Sequence, residues 1–110
     1  MLQQIEDLLS APLSGDSAPT LAHMEDTLTE GYAQALALEA ERLRLERRLG
    51  EVARTVAGGP DHDVSSFAEE ASLLAKRLSS ADGELTSLRT MLRSLQARAR
   101  SMRRAARAAH

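Results

Sequence analysis

Apolar residues recur every three or four positions along two long stretches of the chain. Between residues 21 and 56, nine of the eleven positions in this spacing are apolar, and between residues 64 and 109 all fourteen are apolar. This spacing places apolar side chains on one face of an α-helix, and over many heptads it is typical of a coiled-coil seam. The pattern predicts two long helices that pack along their apolar faces.

Glycine and proline residues mark the predicted ends of these helices. Gly58, Gly59 and Pro60 form a strong helix stop. Ser66 and Glu69 have the spacing of a capping box, which opens a helix. The predicted elements are a helix over 20–57, a Gly/Pro turn over 58–65 and a helix over 66–108, which together make a helical hairpin over 20–110. We expect the second helix to continue through Asp82 and Gly83, because the heptad phase is unbroken there.

The first nineteen residues form a separate predicted segment. Leu2, Ile5 and Leu8 fall on one helical face, and two prolines with a glycine follow them. Residues 1–19 are therefore predicted to be a short N-terminal helical segment and a loop. Since the chain has one Tyr, one Phe and no Trp, composition also favours an all-α fold over a sheet.

Charged residues beside the seam favour an antiparallel pairing of the two helices. A short turn joins antiparallel neighbours, and folding about Gly59 brings Arg48 opposite Glu70 and Glu41 opposite Arg77. Arg42 interrupts the seam itself. It either extends outward to nearby glutamates on its own helix, or it fixes the register at some cost in stability.

Composition argues against catalysis and against metal or cofactor binding. The chain has no cysteine, which excludes disulfides, thiolate metal sites and cysteine nucleophiles. Asp61, His62 and Asp63 are adjacent, but no second ligand cluster accompanies them, so we expect a polar loop and no metal site. A seam of Leu and Ala offers no polar pocket for catalysis, and nucleotide-binding motifs are absent. We therefore expect no enzyme activity, no cofactor and no small-molecule substrate.

Charge is distributed unevenly along the chain. Residues 1–84 carry sixteen acidic and seven basic side chains, whereas residues 85–110 carry seven arginines and no acid. This basic stretch either pairs with the acidic first helix, or binds nucleic acid without sequence specificity. Anionic membrane is a third option, which the lack of aromatic residues disfavours. The candidate anion-binding residues are Arg93, Arg98, Arg100, Arg103, Arg104 and Arg107.

A second apolar row accompanies the seam on the first helix. Tyr32, Leu36 and Leu43 lie off the main seam and are the candidate protein-interaction residues. Because a two-helix hairpin buries little apolar area, we expect a further layer from a homodimer or another helical protein. The sequence thus predicts a non-catalytic coiled-coil module for interaction, assembly or adaptor functions. We expect a cytoplasmic location, since no signal peptide or membrane-spanning segment is evident.

Overall fold

The computed structural model describes residues 1–15, 18–58 and 64–109, which form three α-helices and no strand. Helix α1 spans Leu2–Ser10, α2 spans Leu21–Ala57 and α3 spans Val64–Ala108. The predicted all-α class is therefore confirmed. None of these helices is both long enough and apolar enough to cross a lipid bilayer.

The helix ends follow the sequence signals with one exception. The hydroxyl of Thr20 accepts a hydrogen bond of 3.1 Å from the backbone N–H of His23, which makes Thr20 the N-cap of α2. Helix α3 begins at Val64, so Ser66 and Glu69 lie inside it and the predicted start at residue 66 is wrong. The predicted turn residues 59–63, with the Asp61–Asp63 cluster, lie outside the described residues. Gly83 lies within α3, as the heptad phase predicted.

The chain forms two compact units, which we describe separately. Unit 1 comprises Met1–Leu36 and Thr86–His110, and unit 2 comprises Ala37–Leu85. Each unit contains part of α2 and part of α3, and these parts run antiparallel because residues later in α2 contact residues earlier in α3. In unit 1, for example, an ion pair joins Glu25 to Arg103, whereas Gly31 lies against Leu92.

Unit 1 has a three-helix core. Helix α1 contributes Ile5 and Leu8, which are fully or almost fully buried. They pack in a unit whose α2 and α3 parts bury seven predicted seam residues: Met24, Leu28, Ala35, Leu88, Leu92, Leu95 and Ala99. Thr27 is also buried although it lies off the seam. The third helix thus encloses positions that a two-helix seam would leave in contact with water.

Unit 2 has a smaller core made by two helices alone. Its buried apolar residues all lie on the predicted seam: Leu38, Val52, Leu74, Ala81 and Leu85. Other seam residues of this unit remain half-buried: Leu45, Leu49, Val56, Phe67, Ala71 and Leu78. The difference from unit 1 is physical, because α1 has nine residues and belongs to unit 1 only. No third described helix contributes to unit 2.

Two helix glycines have opposite surroundings and give a matched test of packing. A Cβ atom at Gly31 would overlap the Cδ2 atom of buried Leu92, whereas a Cβ atom at Gly83 would meet nothing within 4 Å. We expect Gly83→Ala to stabilise the protein by about 0.5–1 kcal/mol, because alanine has the higher helix propensity. Gly31→Ala should not raise the free energy of unfolding in this way, since Leu92 must move to make room for the Cβ atom. Urea unfolding measures both, and an equal gain at the two positions would contradict the close packing at Gly31.

Candidate functional site

An apolar groove lies between α2 and α3 in unit 2. It has a volume of about 340 Å³. Its lining residues come from the ends of the two helices that lead into and out of the turn segment: Leu49, Val52 and Val56 on α2, with Val64, Phe67 and Ala71 on α3. Val52 is buried, but Val64 is 55% exposed and the other four are half-buried. Apolar side chains here are therefore accessible from outside the unit.

The rim of this groove consists of small side chains. Ala53 on α2 and Ala68 on α3 line the groove and are both exposed. Helical spacing continues this rim with further small, uncharged residues: Gly50 and Ala57 on α2, with Ser65, Ser72 and Ala75 on α3. We call these seven residues the small-residue rim. Small side chains allow another helix to approach the groove closely, because little steric bulk separates the two backbones.

Charged residues of unit 2 lie on both flanks of the seam, and the guanidinium of Arg54 lies beside Gly50 of the rim, 3.5 Å from the position of a Cβ atom there. Arg48 makes an ion pair of 2.7 Å with Glu70, as the sequence predicted, and a second one of 3.3 Å with Glu51. The hydrogen bond to Glu70, followed by that to Glu51, raises the pKa of Arg48 above its ordinary value. Because the pKa of Arg48 is raised, rising pH removes its charge, and with it this pairing, only in strong alkali. The described residues show no ion pair between Glu41 and Arg77, the second predicted pair.

Arg42 extends outward and also links the two helices. Its guanidinium lies 3.8 Å from Glu46, one turn along α2, and 3.3 Å from Asp82 on α3. The sequence predicted the contact with Glu46 but not the one with Asp82. The contact with Asp82 was missed because the register that pairs Arg48 with Glu70 places Arg42 opposite Lys76. A long arginine side chain reaches diagonally past that position.

Arg98, one of the predicted anion-binding residues, has an internal role in unit 1. Its Nη1 donates a hydrogen bond of 2.6 Å to the backbone carbonyl of Leu9, and its Nη2 donates to that of Ala11. These are unpaired carbonyls at the C-terminal end of α1, where a positive charge also favours the helix dipole. The Nε atom of Arg98 is buried with no hydrogen-bond partner in the described part of the chain. Arg98 therefore caps α1 and directs its guanidinium into the protein.

Four other predicted arginines lie together on α3. Arg100, Arg103, Arg104 and Arg107 line a shallow depression of about 210 Å³. Arg103 is held by its ion pair of 3.0 Å with Glu25, so this part of the basic stretch does pair with the acidic first helix. Arg93 is exposed, and its Nε donates to the carbonyl of Arg89 over 3.4 Å.

A second pocket of about 590 Å³ lies between α1 and α2 in unit 1. Its lining includes Asp7, His23, Asp26 and Glu30, together with buried Thr27. These acids are spread around the wall, and no cluster of three or more metal-ligating side chains occurs in the regions that the structure describes. Gln3 donates a hydrogen bond of 2.8 Å to Asp7. The pocket brings together acidic side chains without converging them on one point.

The predicted interaction residues are accessible. Tyr32 and Leu36 in unit 1 are 44% and 66% exposed, and Leu43 in unit 2 is 45% exposed. Sequence reasoning predicted that the hairpin needs a further layer, but it did not locate the groove of unit 2. A usable signal was present: the predicted third helix is short and cannot cover the whole length of two long helices.

We compared the chain with known protein families, with characterised proteins and with solved structures. None of the three comparisons gave a significant match. The contacts described above are therefore the basis for the proposed function.

Proposed function

We propose that this protein is a non-catalytic helical interaction module, an antiparallel coiled-coil hairpin that assembles with other helices. One observation carries the proposal. Unit 1 closes its core with α1, whereas unit 2 leaves an apolar groove of about 340 Å³ beside Val52 and Phe67. Apolar surface in contact with water costs free energy roughly in proportion to its area. Covering the groove with a partner helix would recover that free energy.

The shape and chemistry of the groove fit a helix as partner. All of its lining residues are apolar, so a partner's apolar ridge can enter the groove itself without burying an unpaired charge there. Leu43 adds an exposed apolar side chain to the same unit. Tyr32 and Leu36 remain predicted contact residues on α2. We place the module in the cytoplasm, in agreement with the absence of cysteine.

Charge insertion at the rim tests this function. We expect Ala53→Glu to abolish binding of partner proteins to the immobilised chain, because a carboxylate at the rim would have to be desolvated on docking. Ala40→Glu is the matched control: Ala40 is an exposed alanine of unit 2 on α2, and it does not line the groove. Capture from the native host should give the same proteins with the wild type and Ala40→Glu. Equal capture by Ala53→Glu would refute a role for the groove.

A second candidate function is non-specific nucleic-acid binding, which the arginine depression of α3 favours. Arg100, Arg104 and Arg107 are exposed side chains beside one another, and residues 85–110 contain no acid. Phosphate neutralisation by such a cluster releases counterions, so affinity falls as salt rises.

The salt dependence of binding tests this candidate. With labelled single- and double-stranded DNA and RNA, fluorescence anisotropy should detect binding at low salt that weakens steeply as salt increases. Replacing Arg100, Arg104 and Arg107 by glutamine should reduce the slope of log affinity against log salt by about 2–3. Arg44→Gln, Arg47→Gln and Arg54→Gln, three exposed arginines of α2, form the control. No binding at low salt would eliminate this function.

A further inference from the structure

We infer that the pocket between α1 and α2 binds a linear aliphatic polyamine, a ligand whose ammonium groups are joined by methylene chains. All residues that line this pocket belong to unit 1, so the inference does not depend on the groove of unit 2. Three observations support it: the carboxylates on the two walls, the hydroxyl of Thr27 and the apolar part of the lining.

The pocket lies between one face of α1 and one face of α2. On each side the lining residues follow the three- and four-residue spacing of a single helix face: Gln4, Asp7, Leu8 and Ala11 on one wall, with His23, Asp26, Thr27 and Glu30 on the other. Pro19, which precedes α2, completes the described lining. Both walls therefore contribute carboxylates to the same space.

The carboxylates on these walls lack cationic partners. In the part of the chain that the structure describes, Asp26 and Glu30 make no ion pair, and Asp7 accepts a hydrogen bond from the neutral amide of Gln3. Asp26 and Glu30 are one turn apart on α2, so their like charges repel each other. A ligand with positive charges would supply the missing partners and relieve this repulsion.

The arginines of unit 1 do not neutralise the pocket. Among the described residues, none of α3 lines it, and His23 is the one basic side chain in the lining. Arg98 contacts the wall at the backbone carbonyl of Ala11, where it caps α1. Arg103 pairs with Glu25, which does not line the pocket. The lining thus keeps an excess of negative charge, which favours a cationic ligand.

The hydroxyl of Thr27 points to a ligand independently of the acids. Thr27 is 5% exposed and lines the pocket. Thr29, Thr55 and Thr90 each donate a hydrogen bond to the carbonyl four residues earlier, whereas the Thr27 hydroxyl makes none with the described residues. Since Arg98 Nε is the one fully enclosed, unpartnered side-chain atom in the described part, the Thr27 hydroxyl must be accessible from the pocket. Its oxygen can accept a hydrogen bond from an ammonium group.

The spacing of the acids and the apolar lining favour a polyamine over a metal ion. No three metal-ligating side chains converge within the described ranges, so a single ion would find too few ligands. The one-turn spacing of Asp26 and Glu30 is about 6 Å, close to the separation of two ammonium groups joined by a four-carbon chain. Leu8, Ala11 and Pro19 provide apolar contacts for the methylene groups. The volume of about 590 Å³ is typical of small-molecule sites.

Isothermal titration calorimetry of the full chain with spermine tests the inference. We expect one spermine to bind per chain, and magnesium chloride at equal ionic strength to give no such binding. Glu30→Gln should weaken spermine binding at least tenfold. Glu41→Gln is the matched control, because Glu41 is an exposed glutamate of α2 outside the pocket. Absence of spermine binding overturns the inference, as does equal weakening by Glu41→Gln, which would indicate attraction by the overall charge.

A threonine pair tests the hydroxyl without changing charge. Thr27→Val keeps the shape of the side chain and removes a buried hydroxyl that has no partner in the described part of the chain, so the variant should fold. We expect its affinity for spermine to fall about tenfold, as for a lost hydrogen bond to a charged group. Thr29→Val, on the same helix but outside the pocket, should bind spermine like the wild type. Unchanged affinity in Thr27→Val would contradict the assigned site.

Hydrogen exchange of the wild type locates the site without any variant. Spermine should slow exchange in α1 and leave exchange in unit 2 unchanged. Slowing that is absent from α1 overturns the inference. A tetralysine peptide in place of spermine separates the two sources of ammonium groups. If the peptide binds and depends on Glu30 whereas spermine does not bind, the pocket takes a basic protein segment and the inference is wrong.

Discussion

Replacing Leu88 by aspartate is expected to abolish most of the helical circular dichroism of the protein. Leu88 is 1% exposed in the three-helix core of unit 1, so the carboxylate would be buried without a partner. The change combines lost apolar burial with an unpaired buried charge, and together they cost about 4–5 kcal/mol or more. Small domains have a total stability of about 5–15 kcal/mol. Far-ultraviolet circular dichroism at 25 °C with a thermal scan measures the effect.

The matched control is Leu73→Asp on the same helix. Leu73 is 51% exposed, so its replacement by aspartate keeps the carboxylate in water. We expect the unfolding free energy to change by about 0.5 kcal/mol or less. Similar losses at Leu73 and Leu88 would contradict the assignment of the core.

The second large effect is expected at Arg98. Lysine keeps the charge at this position but lacks the planar fork that reaches the carbonyls of both Leu9 and Ala11. We expect Arg98→Lys to destabilise unit 1 by about 1–3 kcal/mol, because a half-buried carbonyl loses its donor. Hydrogen exchange followed by mass spectrometry should show that the variant exchanges faster than the wild type in α1, with a smaller change in the middle of α3.

Arg93→Lys provides the comparison for Arg98→Lys. Arg93 is an exposed arginine on α3, and among the residues that the structure describes its side chain donates to the carbonyl of Arg89 on its own helix. Exchange in α1 should therefore stay at the wild-type rate in this variant. If α1 retains full protection in Arg98→Lys, the cap does not hold α1 in place.

The heptad spacing predicted the core well, for a physical reason. A period of 3.5 residues specifies which face of each helix turns toward a neighbour, whatever the neighbour is. All buried apolar residues of α2 and α3 accordingly lie on the predicted seam. The ion pair of Arg48 with Glu70 followed from the same spacing combined with a short turn.

The spacing could not reveal how deeply each position is buried. Leu49 and Leu92 occupy equivalent seam positions, yet Leu49 is half-buried and Leu92 is 2% exposed. Burial depends on the third helix, and where α1 packs is a tertiary property that no local pattern encodes. The role of Arg98 as the cap of α1 could not be predicted from the sequence for the same reason. The charged residues nearest to it in the sequence are all basic, which indicated a solvated charge, whereas its hydrogen-bond partners lie 87 and 89 residues earlier in the chain.

That long separation has a consequence for synthesis on the ribosome. The apolar face of α1, with Ile5 and Leu8, leaves the exit tunnel well before the arginine that caps the helix has been translated. A nine-residue helix is marginal on its own in water, so α1 must remain largely unstructured during most of translation. Helix α1 then folds when it packs against the part of α3 that contains Arg98, which is synthesised late. The long segment between them must close into a loop before these contacts form, so the entropic cost precedes the gain in contact energy. In the sequence, unit 2 lies wholly between α1 and Arg98. Its two helical parts can therefore pair before unit 1 is complete.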